Sequence, residues 1–191
     1  FVVAIYILLQ KEKIERVLKR AVIAIFPEKA STVILNIART SNELFANFVT
    51  GQLTEAVILG SLCFIGMMAF GFPFATIISV LMSITALIPI VGAFIGLTIG
   101  ALLILIESPI KALFFIIFIL CLQQIEGTFI YPKVVGSSIG IPGILVFFAV
   151  IVGGNISGIL GTLLGVPITA LLYTLFKELL EYLEARKAIS T

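Results

Sequence analysis

Charged side chains are confined to three stretches of the chain. None occurs from Ala56 to Ile106, and none from Val134 to Phe176. A helix needs about 20 apolar residues to cross a bilayer core. The first window therefore holds at least two crossings and the second one or two. Barrel strands alternate apolar and polar residues in segments of about ten. Runs such as "ALLILI" and "ALFFIIFIL" do not alternate. The pattern predicts an all-α, polytopic helical membrane protein.

The pattern also predicts the elements. "FVVAIYILLQ", residues 1–10, reads as the end of a truncated transmembrane helix, too short to cross on its own. "KEKIERVLKR", Lys11 to Arg20, follows it and is placed in the cytoplasm by the positive-inside bias. Pro27 with Glu28 opens a helix, and Ile34, Ile37, Phe45 and Phe48 recur on one stripe of it. Residues 11–50 thus read as cytoplasmic or interfacial amphipathic helices. A transmembrane transport core is expected over 51–176. Its first span runs from Gly51 to Phe70, and a plain helix follows Pro109 to about Gln124. Residues 177–191 read as a charged, cytoplasmic C-terminal helix end.

Two apolar stretches are interrupted by glycine and proline. They superpose at an offset of 69 residues: Gly71, Pro73, Gly92 and Gly96 fall on Gly140, Pro142, Gly161 and Gly165. The match predicts an internal repeat, each unit holding a plain helix, a broken segment and a helix that follows it. A break frees backbone N–H and C=O groups at membrane depth, and lipid cannot satisfy them. Such paired broken segments point to a transporter's binding site. The alternative is that these glycines only let helices pack closely. If both segments cross, six spans follow Gly51 and the repeats are inverted. If both turn back, there are four. Either count leaves both ends in the cytoplasm.

Composition sharpens the class. The chain is 61% hydrophobic and 12% charged, against about 45–50% and about 25% for a soluble domain. A net charge of +2 leaves no nucleic-acid footprint. The absence of histidine and aspartate removes His-based metal sites, serine–histidine triads and aspartate proton relays. Cys63 and Cys121 lie far apart in apolar runs, with no metal spacing. No cofactor and no enzymatic activity are expected.

Three glutamates border or enter the apolar block, where a carboxylate costs roughly 2.5–3.5 kcal/mol on insertion scales. Glu55 reads as an interfacial residue. Glu107 reads as half of an exposed pair with Lys111, four residues on. Glu126 stands in "QQIEGTFIYPKVVG", Gln123 to Gly136. On an α-helix Gln123, Glu126 and Ile130 share a face, with Gln124 a third of a turn away. That face suits a wet cavity holding a proton, a cation or a polar solute. Pairing of Glu126 with Lys133 around Pro132 is the structural alternative.

"GQL" at Gly51–Leu53, "IPIVG" at Ile88–Gly92, "QQIEGTFIYPKVVG" and "GGNISGILGTLLGVP" at Gly153–Pro167 occur in this order. Together they resemble the autoinducer-2 exporter family, also described as PerM-type permeases, over nearly the whole chain. The resemblance implies a polytopic inner-membrane transporter that forms homo-oligomers. Members are associated with export of the signal autoinducer-2, others with sodium or lithium/proton antiport. The family motif falls here on Pro89, Gly92, Gln124, Glu126, Pro132, Lys133, Gly136, Gly158, Gly161 and Pro167. With Gln123, Gly154 and Asn155, chosen for hydrogen bonding and broken backbone, these are the expected pathway residues.

Three functions follow as expectations: a secondary carrier exporting a small polar solute like autoinducer-2, a cation/proton antiporter centred on Glu126, and a membrane scaffold without transport. The expected partners are the lipid bilayer, a small polar solute, a monovalent cation or proton, and further copies of the chain, with no nucleic acid. The expected location is a bacterial or archaeal cell (inner) membrane.

Overall fold

The structure, a computed structural model, describes residues 10–136 and 140–189, with only the backbone described at Lys11, Pro132, Gly136 and 185–189. The helix end expected over residues 1–10 lies outside the described residues, apart from Gln10. Every regular element among the described residues is helical. In chain order these are α1 (Lys11–Ile25), α2 (Glu28–Ala69), α3 (Ala75–Ala86), α4 (Val91–Glu107) and α5 (Pro109–Ile125). Two π-helical turns follow, Glu126–Ile130 and Pro132–Gly136, and then α6 (Gly143–Ile189). The chain divides into two compact units, Phe1–Glu43 and Leu44–Thr191.

In the first unit, α1 ends where Phe26 turns extended, at φ −106° and ψ 148°. A residue before proline is pushed out of the helical region, and Pro27 follows. Val17, Leu18 and Ile25 of α1 are exposed on one side, as expected of a helix that meets lipid or another surface there. Glu15 pairs with Lys19 at 2.7 Å and Arg39 with Glu43 at 2.9 Å. The sequence pattern separates an amphipathic helix ending near Val49 from a span opening at Gly51. The structure instead carries α2 through both, as 42 continuous residues. Gly51 need not end the helix, because its bare face is packed: a Cβ there would stand 3.2 Å from the Val134 carbonyl oxygen.

The second unit is built from two helix-plus-hairpin units. α3 and α4 form the first hairpin. A Cβ at Gly92 would collide with the Thr85 carbonyl, and one at Gly96 with the Met82 side chain. The second hairpin lies within α6. Ser157 and Gly158 leave the helical region there, Gly158 at φ +59°. A Cβ at Gly161 would collide with the Gly153 carbonyl, and one at Gly165 would stand 2.5 Å from the Ala149 carbonyl oxygen. In a straight helix Ala149 and Gly165 would be about 24 Å apart, so the chain reverses at Ser157–Gly158. Gly92 and Gly161, matched by the 69-residue offset, thus occupy the same place in the two hairpins.

The units run in opposite directions. Gly51 of α2 packs on Val134 and Val135, and Gly66 on Phe118, so α2 and the α5 rod are antiparallel. Each rod leads into its hairpin from its own far end. The two units are thus inverted with both broken segments turning back, whereas the sequence pattern tied inversion to both segments crossing. Each hairpin also has its own core. The first buries Ile78, Met82 and Ile104 against Leu59, Cys63, Phe115 and Ile119. The second buries Val146, Ala149, Val150 and Val166 against Phe48 and Val135.

Three stretches are long and apolar enough to cross a membrane: Glu28–Ala69, Pro109–Val135 and Gly143–Glu184, the last interrupted by the hairpin turn. α3 spans about 18 Å at 1.5 Å per residue, well short of a bilayer core of about 30 Å. Outward-facing Ile84, Ile106, Ile110 and Phe114 are exposed, a surface suited to hydrocarbon and not to water. Exposed Thr54, Ser61, Thr98 and Asn155 each bond back to the carbonyl four residues earlier, at 2.7–2.8 Å. Polar side chains are thereby satisfied without water.

The hairpin crossings make a direct prediction. Gly92→Ala and Gly161→Ala should each cost about 1–3 kcal/mol, the usual penalty of overpacking. Gly127→Ala meets nothing within 4 Å and should change stability by less than about 0.5 kcal/mol. Denaturant unfolding of the purified protein in detergent would measure all three.

Candidate functional site

The helix α5 does not stop at Ile125; it widens. Tyr131 N–H bonds the carbonyl of Glu126, five residues back, instead of the residue four back. Pro132 lacks an N–H and cannot continue an α-helical ladder, and π-helical turns often mark functional sites. In an α-helix, residues five apart diverge by about 140°. The wider turn brings Glu126 and Tyr131 to the same wall, and with them Gln123 and Gly127. The face expected from α-helical spacing contained Ile130; the structure puts Tyr131 there.

That wall encloses a cavity of about 460 Å³. Gln52, Glu55 and Leu59 of α2 line it on one side. Ile88, Pro89 and Ile90, at the tip of the first hairpin, line another. Gly143, Val146 and Phe147 enter from the base of the second. Both repeat units therefore contribute, which is where inverted-repeat carriers hold their solutes. The lining is largely apolar, with five polar side chains: Gln52, Glu55, Gln123, Glu126 and Tyr131. None of the described lining residues is basic. Glu55 is 3% exposed and Gln52 4%. Glu55, Glu126 and Tyr131 lie near enough to interact electrostatically.

Three buried polar atoms of this lining have no hydrogen-bond partner among the described residues: Gln52 Oε1, Gln123 Nε2 and the Tyr131 hydroxyl. They are an acceptor, a donor and a group that is both. Buried polar groups are nearly always paired, and all three of these exceptions belong to residues that line the one cavity. Among the described residues no group of three or more His, Cys, Asp or Glu could hold a metal ion.

The expected pathway residues divide. Pro89, Gln123 and Glu126 line the cavity. Gln124 is exposed and donates to Thr128 Oγ1 at 3.3 Å. Lys133 is exposed and is not part of the lining. Pro132 and Gly136 lie in the second π turn, their side-chain positions outside the description. Gly92 lies at the first hairpin crossing. Gly154, Gly158 and Gly161 shape the second hairpin, with Asn155 donating to Ile151 O at 2.8 Å. Pro167 is fully buried within α6. Glu107 pairs with Lys111 at 3.7 Å, half-exposed, where its spacing put it. Pattern reasoning passed over Gln52 and Tyr131 and placed Glu55 at an interface. The available signal for Gln52 and Glu55 was their spacing of three, which puts both on one helical face ahead of a charge-free run.

The orphaned atoms predict an unusual mutational response. Tyr131→Phe and Gln123→Leu each delete an unpartnered polar group. Both should leave stability unchanged or raise it by up to about 1 kcal/mol. Ser83→Ala, which breaks the 2.8 Å bond from Ser83 Oγ to Ala56 O, should lose about 0.5–1.5 kcal/mol. Thermal unfolding in detergent distinguishes the two responses.

Sequence comparisons show which proteins the chain is similar to. The profile of the family described as "AI-2E family transporter" matches residues 1–181. "Putative transport protein YueF" of Bacillus subtilis is 32% identical over 165 residues, covering 86% of this chain and 45% of that protein. "Putative transport protein YrrI" of the same organism is 35% identical over 135 residues, covering 70% of this chain and 38% of that protein. A Synechocystis protein, also named a putative transport protein, is 28% identical over 148 residues, 78% of this chain and 36% of its own length. The chain thus spans less than half the length of these relatives. No solved structure matches it. With the family profile covering nearly every residue, the chain belongs to the AI-2E transporter family.

Proposed function

We propose that the cavity between the repeat units is the solute site of a secondary carrier that exports a small, hydroxyl-bearing molecule of the autoinducer-2 kind. The observation that carries this reading is the trio of orphaned atoms, Gln52 Oε1, Gln123 Nε2 and Tyr131 OH, on one cavity wall. A polyhydroxylated guest both donates and accepts, so it can pair all three. Each pairing relieves a buried group whose isolation costs about 1–3 kcal/mol. A volume of about 460 Å³ lies within the range for small-molecule pockets, about 300–1,000 Å³. The family's description supports transport itself.

A second reading is sodium or lithium/proton antiport. Glu55 and Glu126 on a lining without basic residues favour it, because such carboxylates can exchange a proton for a monovalent cation. In either reading the protein works as a multi-pass protein of a bacterial or archaeal cell membrane, with a cytoplasmic C-terminus, and assembles as a homo-oligomer.

Flux from loaded liposomes containing the full-length protein tests both. Export of autoinducer-2 should survive Glu126→Gln and fall at least about tenfold in Gln123→Leu, the cost of losing one buried hydrogen bond. Cation exchange abolished by Glu126→Gln, with no autoinducer-2 flux in the wild type, would replace the first reading with the second. Movement of neither would leave the protein a scaffold.

A further inference from the structure

Gln52 differs from the other polar residues of the cavity in having two jobs for one amide. It is 4% exposed. Its Nε2 donates to the carbonyls of Ala86 at 3.3 Å and Leu87 at 3.4 Å, at the C-terminal end of α3. The last carbonyls of a helix have no partner within it, and at this end Pro89 supplies no N–H. Gln52 therefore caps α3 from a neighbouring helix. The amide cannot flip, because Oε1 would then face two carbonyl oxygens. Its Oε1 is left buried and without a partner, in a residue that lines the cavity.

The segment it holds is strained. Ile90 sits at φ +65° and ψ −56°, and Val91 N–H bonds Pro89 O at 2.7 Å, closing a three-residue γ-turn. Positive φ is a genuine outlier for a β-branched residue. Such conformations persist only where the surroundings enforce them, and they gather at switch and ligand-clamping segments. Ile88, Pro89 and Ile90 all line the cavity.

We propose that Gln52 reads the solute and transmits its presence to the tip of the first hairpin. The locked Oε1 accepts only a hydrogen-bond donor, a hydroxyl or an ammonium, and rejects a solute that presents a carboxylate or ketone oxygen there. A donor on Oε1 polarises the amide and strengthens its hold on Ala86 and Leu87, since linked hydrogen bonds reinforce one another. An occupied cavity therefore keeps the tip closed, and an empty one lets the strained turn open. This rests on the reading of the cavity as a solute site.

The test uses the full-length protein in liposomes, with Cys121→Ser to remove the exposed native thiol; Cys63 is buried. Ala86→Cys, at a position buried while the tip is held, reports tip opening through its rate of maleimide labelling. Without solute, Gln52→Leu should speed labelling about fivefold to tenfold, the factor for losing one ordinary hydrogen bond. Gln52→Glu, which turns an oxygen towards the two carbonyls, should do the same. Gln123→Leu, which lines the cavity without touching the tip, should not. Autoinducer-2 should slow labelling when Gln52 is present and have no effect in Gln52→Leu. Unchanged labelling in both folded Gln52 variants, judged by size-exclusion elution, overturns the latch whatever the solute. A latch that responds to Gln52 substitution but not to a solute the wild type transports overturns solute reading. Failure of wild-type flux shows separately that the functional reading is wrong.

Discussion

Hydrocarbon offers no hydrogen bonds, and the second unit of this chain is arranged around that fact. A continuous helix meets the condition by itself. A broken helix does not, and the hairpins of this chain break at Leu87–Ile90 and at Ser157–Gly158. At the first break the freed carbonyls of Ala86 and Leu87 are taken by Gln52 from a different helix. Exposed Thr54, Ser61, Thr98 and Asn155 answer the same constraint locally, by bonding to their own backbone.

The inverted repeat turns that constraint into a site. Antiparallel rods, α2 and the α5–π segment, each carry a hairpin, and each hairpin closes through a glycine with no room for a Cβ. The cavity opens between the units, at the tip of one hairpin and the base of the other. Its polar atoms come from segments that depart from regular α-helix or hold such a departure in place. Gln52 braces a broken helix, and Glu126 and Tyr131 are turned inward by a π-helical widening next to Pro132. Irregular backbone at membrane depth is tolerated where it lines a cavity. Here the irregularity and the cavity are one arrangement.

For transport this joins two needs. A carrier must hold a polar solute in apolar surroundings and must tie its presence to a movement. In the proposed carrier, unpaired buried donors and acceptors are the source of affinity for such a solute. In the proposed latch the amide of Gln52, bonded to the first hairpin, is the tie. Glu55 and Glu126 add two carboxyl groups to the same wall, groups that can hold a proton, meet a cation or accept from a hydroxyl donor.

The sequence by itself determined the solvent and the segments. Two long charge-free windows admit only membrane helices, and the Gly/Pro offset marked both broken stretches and their equivalence. It also brought Gln123, Glu126 and Pro89 forward as candidates, and all three line the cavity. Only the tertiary structure decided the rest. Periodicity assumes 3.6 residues per turn, so it placed Ile130 where a π-helical turn puts Tyr131. It judged Glu55 by distance from a helix start, whereas Gly51 is packed inside a 42-residue helix and Glu55 is buried. Gln52 acquires its role from carbonyls more than thirty residues away. Local pattern records which face a residue occupies on its own helix, while a hydrogen bond between helices depends on which elements are brought together, and that is settled by packing.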